Sequence, residues 1–270
     1  MRKGKVSNGA RGGDGVRVRR VLVVGRRGTG DLALDGVEVR QVEEHELAGG
    51  EHPAEPRIVV VHDPTDLDPL HLRERLWATL TRVLVACDPA APEAPTWCRV
   101  GSRVLHPAEL LGALERAVRG HVRPWLRFRD FCPLEVAPGS CLEAVLCHLL
   151  SSRDLGVGSL VTPPELSDRD VRRELEGLGC GPPKAWEEVY AVAVALVCGS
   201  LGMSAAAAAG PAGYSCASNL RRALRAWSLR YSDSKGLGPA AALELLRRVL
   251  AENDTPLGRI WRSRLHRRIT

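Results

Sequence analysis

Arg221, Arg222 and Arg225 lie three and four residues apart, behind a run of small residues, Ser215, Cys216, Ala217 and Ser218. That spacing puts the arginines together on one side of a helix. A guanidinium carries a rigid fork of donors that pairs with a guanine edge or clamps a phosphate. The chemistry on offer is therefore recognition of a polyanion. Leu220, Ala223, Leu224 and Trp227 recur on the opposite side and form the expected core-facing stripe. The whole segment, SAAAAAGPAGYSCASNLRRALRAW (Ser204–Trp227), reads as two capped helices around a turn. Ser204 caps Ala205–Ala209, Gly213 ends that helix, and Ser215 caps a second helix over Ser218–Arg230. This is a helix-turn-helix pattern, with the second helix suited to the major groove.

Other chemistries find less support. Gly25, Gly28 and Gly30 follow an apolar run, but their spacing is GxxGxG and no long helix follows to hold a pyrophosphate. The histidines and acids of Glu43–His52, and His62 with Asp63, lack a partnered serine or cysteine nucleophile. Among eight cysteines no two form a CxxC pair, and Cys141, Cys147 and His148 fall in an amphipathic helix, where the cysteines read as buried thiols. No catalysis, no metal and no cofactor is expected.

Charge is distributed unevenly along the chain. Its 270 residues carry a net +6, with +6 in residues 1–20, −3 in 151–213 and +8 in 214–270. The basic C-terminal end is what a polyanion-binding surface needs, because each neutralised phosphate releases counterions. At 44% hydrophobic residues most of the chain is expected to fold. No apolar run approaches the ~20 residues that cross a bilayer. Val21–Val24, after the basic start, is too short for a signal core, so no membrane association and a cytoplasmic location are expected.

The elements that must position these residues fall into two halves. Residues 1–17 read as a basic disordered arm. Residues 18–120 alternate strands and helices, as an open parallel sheet does: strands at Arg20–Val24, Val37–Val42, Ile58–Val61 and Arg82–Ala86, and a short polar strand within Trp97–Leu105. Helices are expected over Leu70–Leu80 and Pro107–Val118. Residues 121–140, with Trp125, Phe128 and Phe131, read as a packed linker. Residues 141–235 are helical throughout: Leu142–Leu150, Asp168–Leu178 capped by Ser167, and the long apolar Ala185–Leu201. Residues 236–270 form a basic extension with a helix over Ala240–Leu250 and a tail holding Arg259, Arg262, Arg264, Arg267 and Arg268.

Both halves resemble known families. GYSCASNLRRALRAW resembles the second helix-turn-helix of AraC-type transcriptional regulators, and LSDRDVRRELEGLGCGPPKAW (Leu166–Trp186) is similar to that family's first recognition helix and its entry to the linker helix. The likeness spans about ninety residues, Cys141–Tyr231. It implies two motifs entering successive major grooves, with RNA polymerase as a further partner. The order of pieces in residues 18–120 resembles a response-regulator receiver of flavodoxin-like fold, and that likeness implies a homodimer through this domain. In the receiver pattern an acidic pair follows the first strand, where Gly25, Arg26 and Arg27 stand here; the phosphate-accepting position falls on His62 and the lysine position on His106. The resemblance therefore implies the fold without the phosphorylation.

The expected function is that of a sequence-specific regulator binding double-stranded DNA, with a receiver-like domain that takes no phosphate. Ser215, Cys216, Ala217, Ser218, Arg221 and Arg222 are expected to face the groove, and Arg222 and Arg225 to clamp the backbone. In the first motif Arg169 and Arg172 are the expected contacts. Pro163 and Pro164 interrupt its support helix, and Asp168, Asp170, Glu174 and Glu176 oppose its arginines, so the second motif carries most of the affinity. The alternative is a degenerate regulator that acts as a protein–protein interaction module without DNA binding. A nucleotide-binding enzyme using Gly25–Gly30 ranks last.

Overall fold

The structure, a computed structural model, describes residues 18–25, 32–48, 55–77, 79–99, 102–126, 168–177, 183–254 and 258–259. The arm at 1–17, Gly28 and Gly30, Phe128 and Phe131, the helix expected over Leu142–Leu150, the prolines 163 and 164, the cap Ser167 and the tail from Arg262 lie outside the described residues.

The first half is a five-stranded, all-parallel sheet with helices, an α/β arrangement. Its strands are β1 (Arg20–Val24), β2 (Glu38–Gln41), β3 (Arg57–His62), β4 (Thr81–Ala86) and β5 (Arg103–Leu105), in the order β2-β1-β3-β4-β5. Between and after them run α1 (Pro69–Leu76), α2 (Ala94–Arg99) and α3 (Leu110–Arg119). The continuous apolar runs of β1, β3 and β4 follow from burial on both faces. Leu22, Val24, Val59, Val61, Val83, Val85 and Val104 share one core with Leu72, Leu76 and Trp97. Val21, Val23, Ile58, Val60, Leu84, Ala86 and Leu105 face the other way and join the apolar stripe of α3. Successive strand side chains alternate, which divides the valines in this manner.

The stretch Trp97–Leu105 differs from its expected form. Only Arg103–Leu105 is strand, and its Val104 and Leu105 are buried rather than polar. Trp97 belongs to α2 and is completely buried under β5's face of the sheet core. Helix α1 also stops at Leu76, short of Leu80: Trp77 leaves the helical region at ψ 132°, and Leu80 pairs with Pro124 in an isolated antiparallel bridge.

The second half is helical where described: α4 (Asp168–Gly177), α5 (Pro183–Ser200), α6 (Ala205–Ala209), α7 (Ala217–Ala226) and α8 (Pro239–Glu252). Val189 to Cys198 of α5 are buried without a break, so α5 is hydrophobic all round and is the centre of this half. Helices α4, α7 and α8 all pack against it. Gly199 permits one close approach: a Cβ there would overlap the Ser234 hydroxyl, whose residue is fully buried in the short turn Tyr231–Ser234.

Residues 121–126 tie the halves together. The Arg82 guanidinium donates to the His121 carbonyl, the Trp125 N–H donates to the Thr79 carbonyl at 2.9 Å, and Arg73 donates to the Leu126 carbonyl at 3.1 Å. Buried Arg123 sits over the Tyr190 ring of α5, 5.9 Å from its centroid, within cation–π range. Val122 and Leu126 belong to the same core as Trp186 and Tyr190.

That core predicts alkaline sensitivity. Burial pushes the Cys198 thiol up to about 12 from an ordinary 9.0, and burial also raises neighbouring Tyr231. The unfolded chain thus ionises Cys198 first as pH rises. The stability held by the neutral thiol is complete below pH 9 and is lost progressively toward pH 12. Urea unfolding is expected to show a loss on the order of 2 kcal/mol between about pH 8 and about pH 10.5, smaller in Cys198→Ala. An unchanged pH profile in that variant would contradict the assignment.

Candidate nucleic-acid interface

Helix α6 begins at Ser204, whose hydroxyl accepts from the Ala207 N–H at 3.2 Å. Its end is built by two hydrogen bonds: Tyr214 N–H to the Ala209 carbonyl at 2.8 Å and Gly213 N–H to the Gly210 carbonyl at 2.9 Å. This six-to-one, five-to-two pair is a Schellman closure, and it needs a left-handed residue at Gly213, where φ is +81°. Pro211 sits buried one residue after Gly210 and has no N–H to give the Ala207 carbonyl, so the regular helix ends at Ala209, although the Ala212 N–H still reaches the Ala208 carbonyl at 3.0 Å. Ala205, Ala208 and Ala209 are buried, a small-residue contact that lets α6 lie close to α7.

The cap of α7 falls on Cys216, not Ser215, and the helix starts at Ala217. Cys216 takes the extended conformation of a cap (φ −161°, ψ 164°). Ser215, one residue earlier, instead accepts from the Asn219 side-chain amide at 2.8 Å. Asn219 is the residue that sequence reasoning passed over; its signal was the four-residue spacing from Ser215. The backbone N–H of Asn219, then that of Ser218, lowers the Cys216 thiol below its ordinary range, with further help from Ser215 and from the charge of Arg222. The N-terminal end of α7 thus favours negative charge, as unsatisfied donors at a helix start do.

Helix α7 ends at Ala226, four residues before the expected Arg230. A second Schellman pair, Leu229 N–H to the Leu224 carbonyl and Ser228 N–H to the Arg225 carbonyl, both 2.9 Å, closes it. Ser228 takes the left-handed position at φ +57°, a place usually given to glycine. Arg230 falls beyond, where its N–H donates to the Asp233 carboxylate at 2.8 Å.

Burial divides the ten residues of α7 cleanly. Leu220 and Leu224 are fully buried, Trp227 closes the stripe and Ala223 is half-buried. Ser215, Cys216, Ser218, Arg221, Arg222 and Arg225 are exposed, and Ala217 is half-buried. Ser218 and the three arginines lie along one stripe opposite the buried leucines. The helix holds no carboxylate, and among the described residues none forms an ion pair with Arg221, Arg222 or Arg225. A helix of this length runs about 15 Å, so its exposed face matches the scale of a major groove.

Arg169 and Arg172 are exposed on α4, with Glu176 exposed on the same helix. Both α4 and α7 rest on α5, which places the two candidate groups on one platform.

At the ends of the strands, the neighbourhood of Gly25, His62 and Asp63 takes an unusual form. Gly25 adopts φ +120°, and a Cβ there would collide with the His62 carbonyl. Asp63 is turned into the left-handed region (φ 53°) and accepts from the Thr65 hydroxyl at 3.1 Å. His106 is exposed and accepts the Ala108 N–H on Nδ1 at 3.3 Å, capping the turn before α3. Among the described residues, no helix is long and apolar enough to cross a membrane. No known protein family, curated protein or solved structure matches this chain.

Proposed function

We propose that the chain is a sequence-specific DNA-binding transcriptional regulator, in which α6, the turn and α7 act as an AraC-like helix-turn-helix and α7 enters the major groove. One observation carries the reading. Three guanidiniums that form no ion pair among the described residues stand on the exposed face of a helix whose other face is locked into the core. Arg221 and the exposed Ser215, Cys216 and Ser218, with Ala217, address base edges, while Arg222 and Arg225 clamp phosphates. Arg169 and Arg172 add weaker contacts from α4.

The first half is proposed to be a flavodoxin-like, receiver-like regulatory domain, since its strand order is the 2-1-3-4-5 of that fold. Gly25 packed on His62, and Asp63 turned toward Thr65, support a domain that passes signals by contact rather than by phosphoryl transfer. RNA polymerase, and a second copy through this domain, are the proposed protein partners.

Selection of binding sites from a randomised duplex pool with the full chain tests the proposal. A shared motif is expected to emerge, and Arg221→Ala is expected to lose about 1–3 kcal/mol on that motif while relaxing specificity at one position. If no motif emerges and Arg221→Ala binds every duplex as the parent chain does, the reading falls. The interaction-module alternative then takes its place.

A further inference from the structure

A second group of guanidiniums lies on the first half, where β4, β5 and α3 meet. The register pairs Leu84 with Arg103, so Arg82 and Arg103 rise from the same face of the sheet on neighbouring strands. Helix α3 covers that face with Leu110, Ala113, Leu114 and Ala117, and presents Arg116 at its exposed side. Arg103 feels the charges of the other two. Burial, then Arg116 and Arg82, hold the half-buried Arg103 below its ordinary range, and Glu109 opposes them least. Among the described residues Arg103 and Arg116 make no ion pair. The like charges of Arg103 and Arg116, fixed on β5 and α3, are unfavourable until an anion bridges them.

The group is joined to the candidate interface. Arg82 donates to the His121 carbonyl, and the His121 ring lies against Gly210, where a Cβ would overlap it. Gly210 begins the turn that leads through Gly213 and Ser215 into α7. One strap residue therefore links the arginine group to the turn that sets the pose of α7.

We propose that Arg103 and Arg116, oriented beside Arg82, form a phosphate-contacting patch through which the first half holds the DNA backbone flanking the segment that α7 reads. This rests on the DNA-binding reading above. Arginine suits the role, since its planar fork engages two phosphate oxygens at once. The strap at 121–126 then fixes the spacing between the two contacts on one duplex.

The test compares Arg103→Gln/Arg116→Gln with the parent full-length chain on a random duplex, across a salt series, with circular dichroism to confirm folding. Losing two phosphate contacts is expected to flatten the slope of log affinity against log salt by about 1.8. The selected sequence motif should stay unchanged. Arg103→Lys, which keeps the charge, should keep most of the slope. Should the double variant unfold, exposed Arg116→Gln alone decides, with an expected loss of about 0.9. A patch variant with the parent slope, alongside an α7 variant that loses binding, overturns the patch and leaves the DNA reading intact. A parent chain with no salt-sensitive binding overturns both.

Discussion

Gly25→Ala is expected to destabilise the chain by about 3–5 kcal/mol. Gly25 follows β1 at φ +120°, outside the range a side chain tolerates, and its missing Cβ is where the His62 carbonyl sits. The adjoining register, Val24 against Val61, is the last rung between β1 and β3, so the clash cannot relax without parting these two strands. The Gln41 amide, which donates to the Gly25 carbonyl at 3.0 Å, would be displaced as well. Gly36 supplies the control: it also has positive φ, +71°, but a Cβ there meets nothing. Gly36→Ala should cost only about 1–2 kcal/mol. Thermal unfolding of both variants separates the cases, and equal shifts would contradict the close approach of Gly25 to His62.

Arg221→Glu/Arg222→Glu is expected to weaken duplex binding by about 100-fold or more, with no comparable change in stability. Both side chains are exposed and make no described ion pair, so the fold does not depend on them. Reversal removes two attractive contacts and adds two carboxylates facing phosphate, so its effect exceeds that of truncation. Leu224→Ala provides the contrasting case. It empties a fully buried position on the inner side of the same helix and should lower stability first, by about 2–5 kcal/mol. A charge-reversed protein that binds like the parent would place the polyanion contact elsewhere.

Much of the first half was legible because burial on both faces leaves continuous apolar runs, as in RVLVV, RIVVVH and TRVLVA. Helix α2 was not. APTWCR carries a proline and a single large apolar residue, so neither period stands out, and only tertiary packing of Trp97 fixes it. In the second half the arginine stripe and its buried counterpart were readable from spacing alone. The ends of α7 were not. The cap moved from Ser215 to Cys216 because the Ser215 hydroxyl is taken by Asn219. The C-terminal end moved from Arg230 to Ala226 because Ser228 takes a left-handed turn that its residue type does not announce. The arginine group on β4, β5 and α3 was invisible for another reason. Arg82, Arg103 and Arg116 are far apart in sequence, and only the sheet register and the covering helix assemble them.

Helix α7 is proposed to present its arginines to nucleic-acid phosphate and base edges. Fluorescence anisotropy of the full chain with a random duplex of about 40 base pairs, across a salt series, tests it most directly. Binding at low salt is expected to fall steeply with salt, with a log–log slope of about −1.8 or steeper for the phosphate clamps Arg222 and Arg225 together. A folded protein that binds no duplex at low salt, or binds with a flat slope, would contradict it.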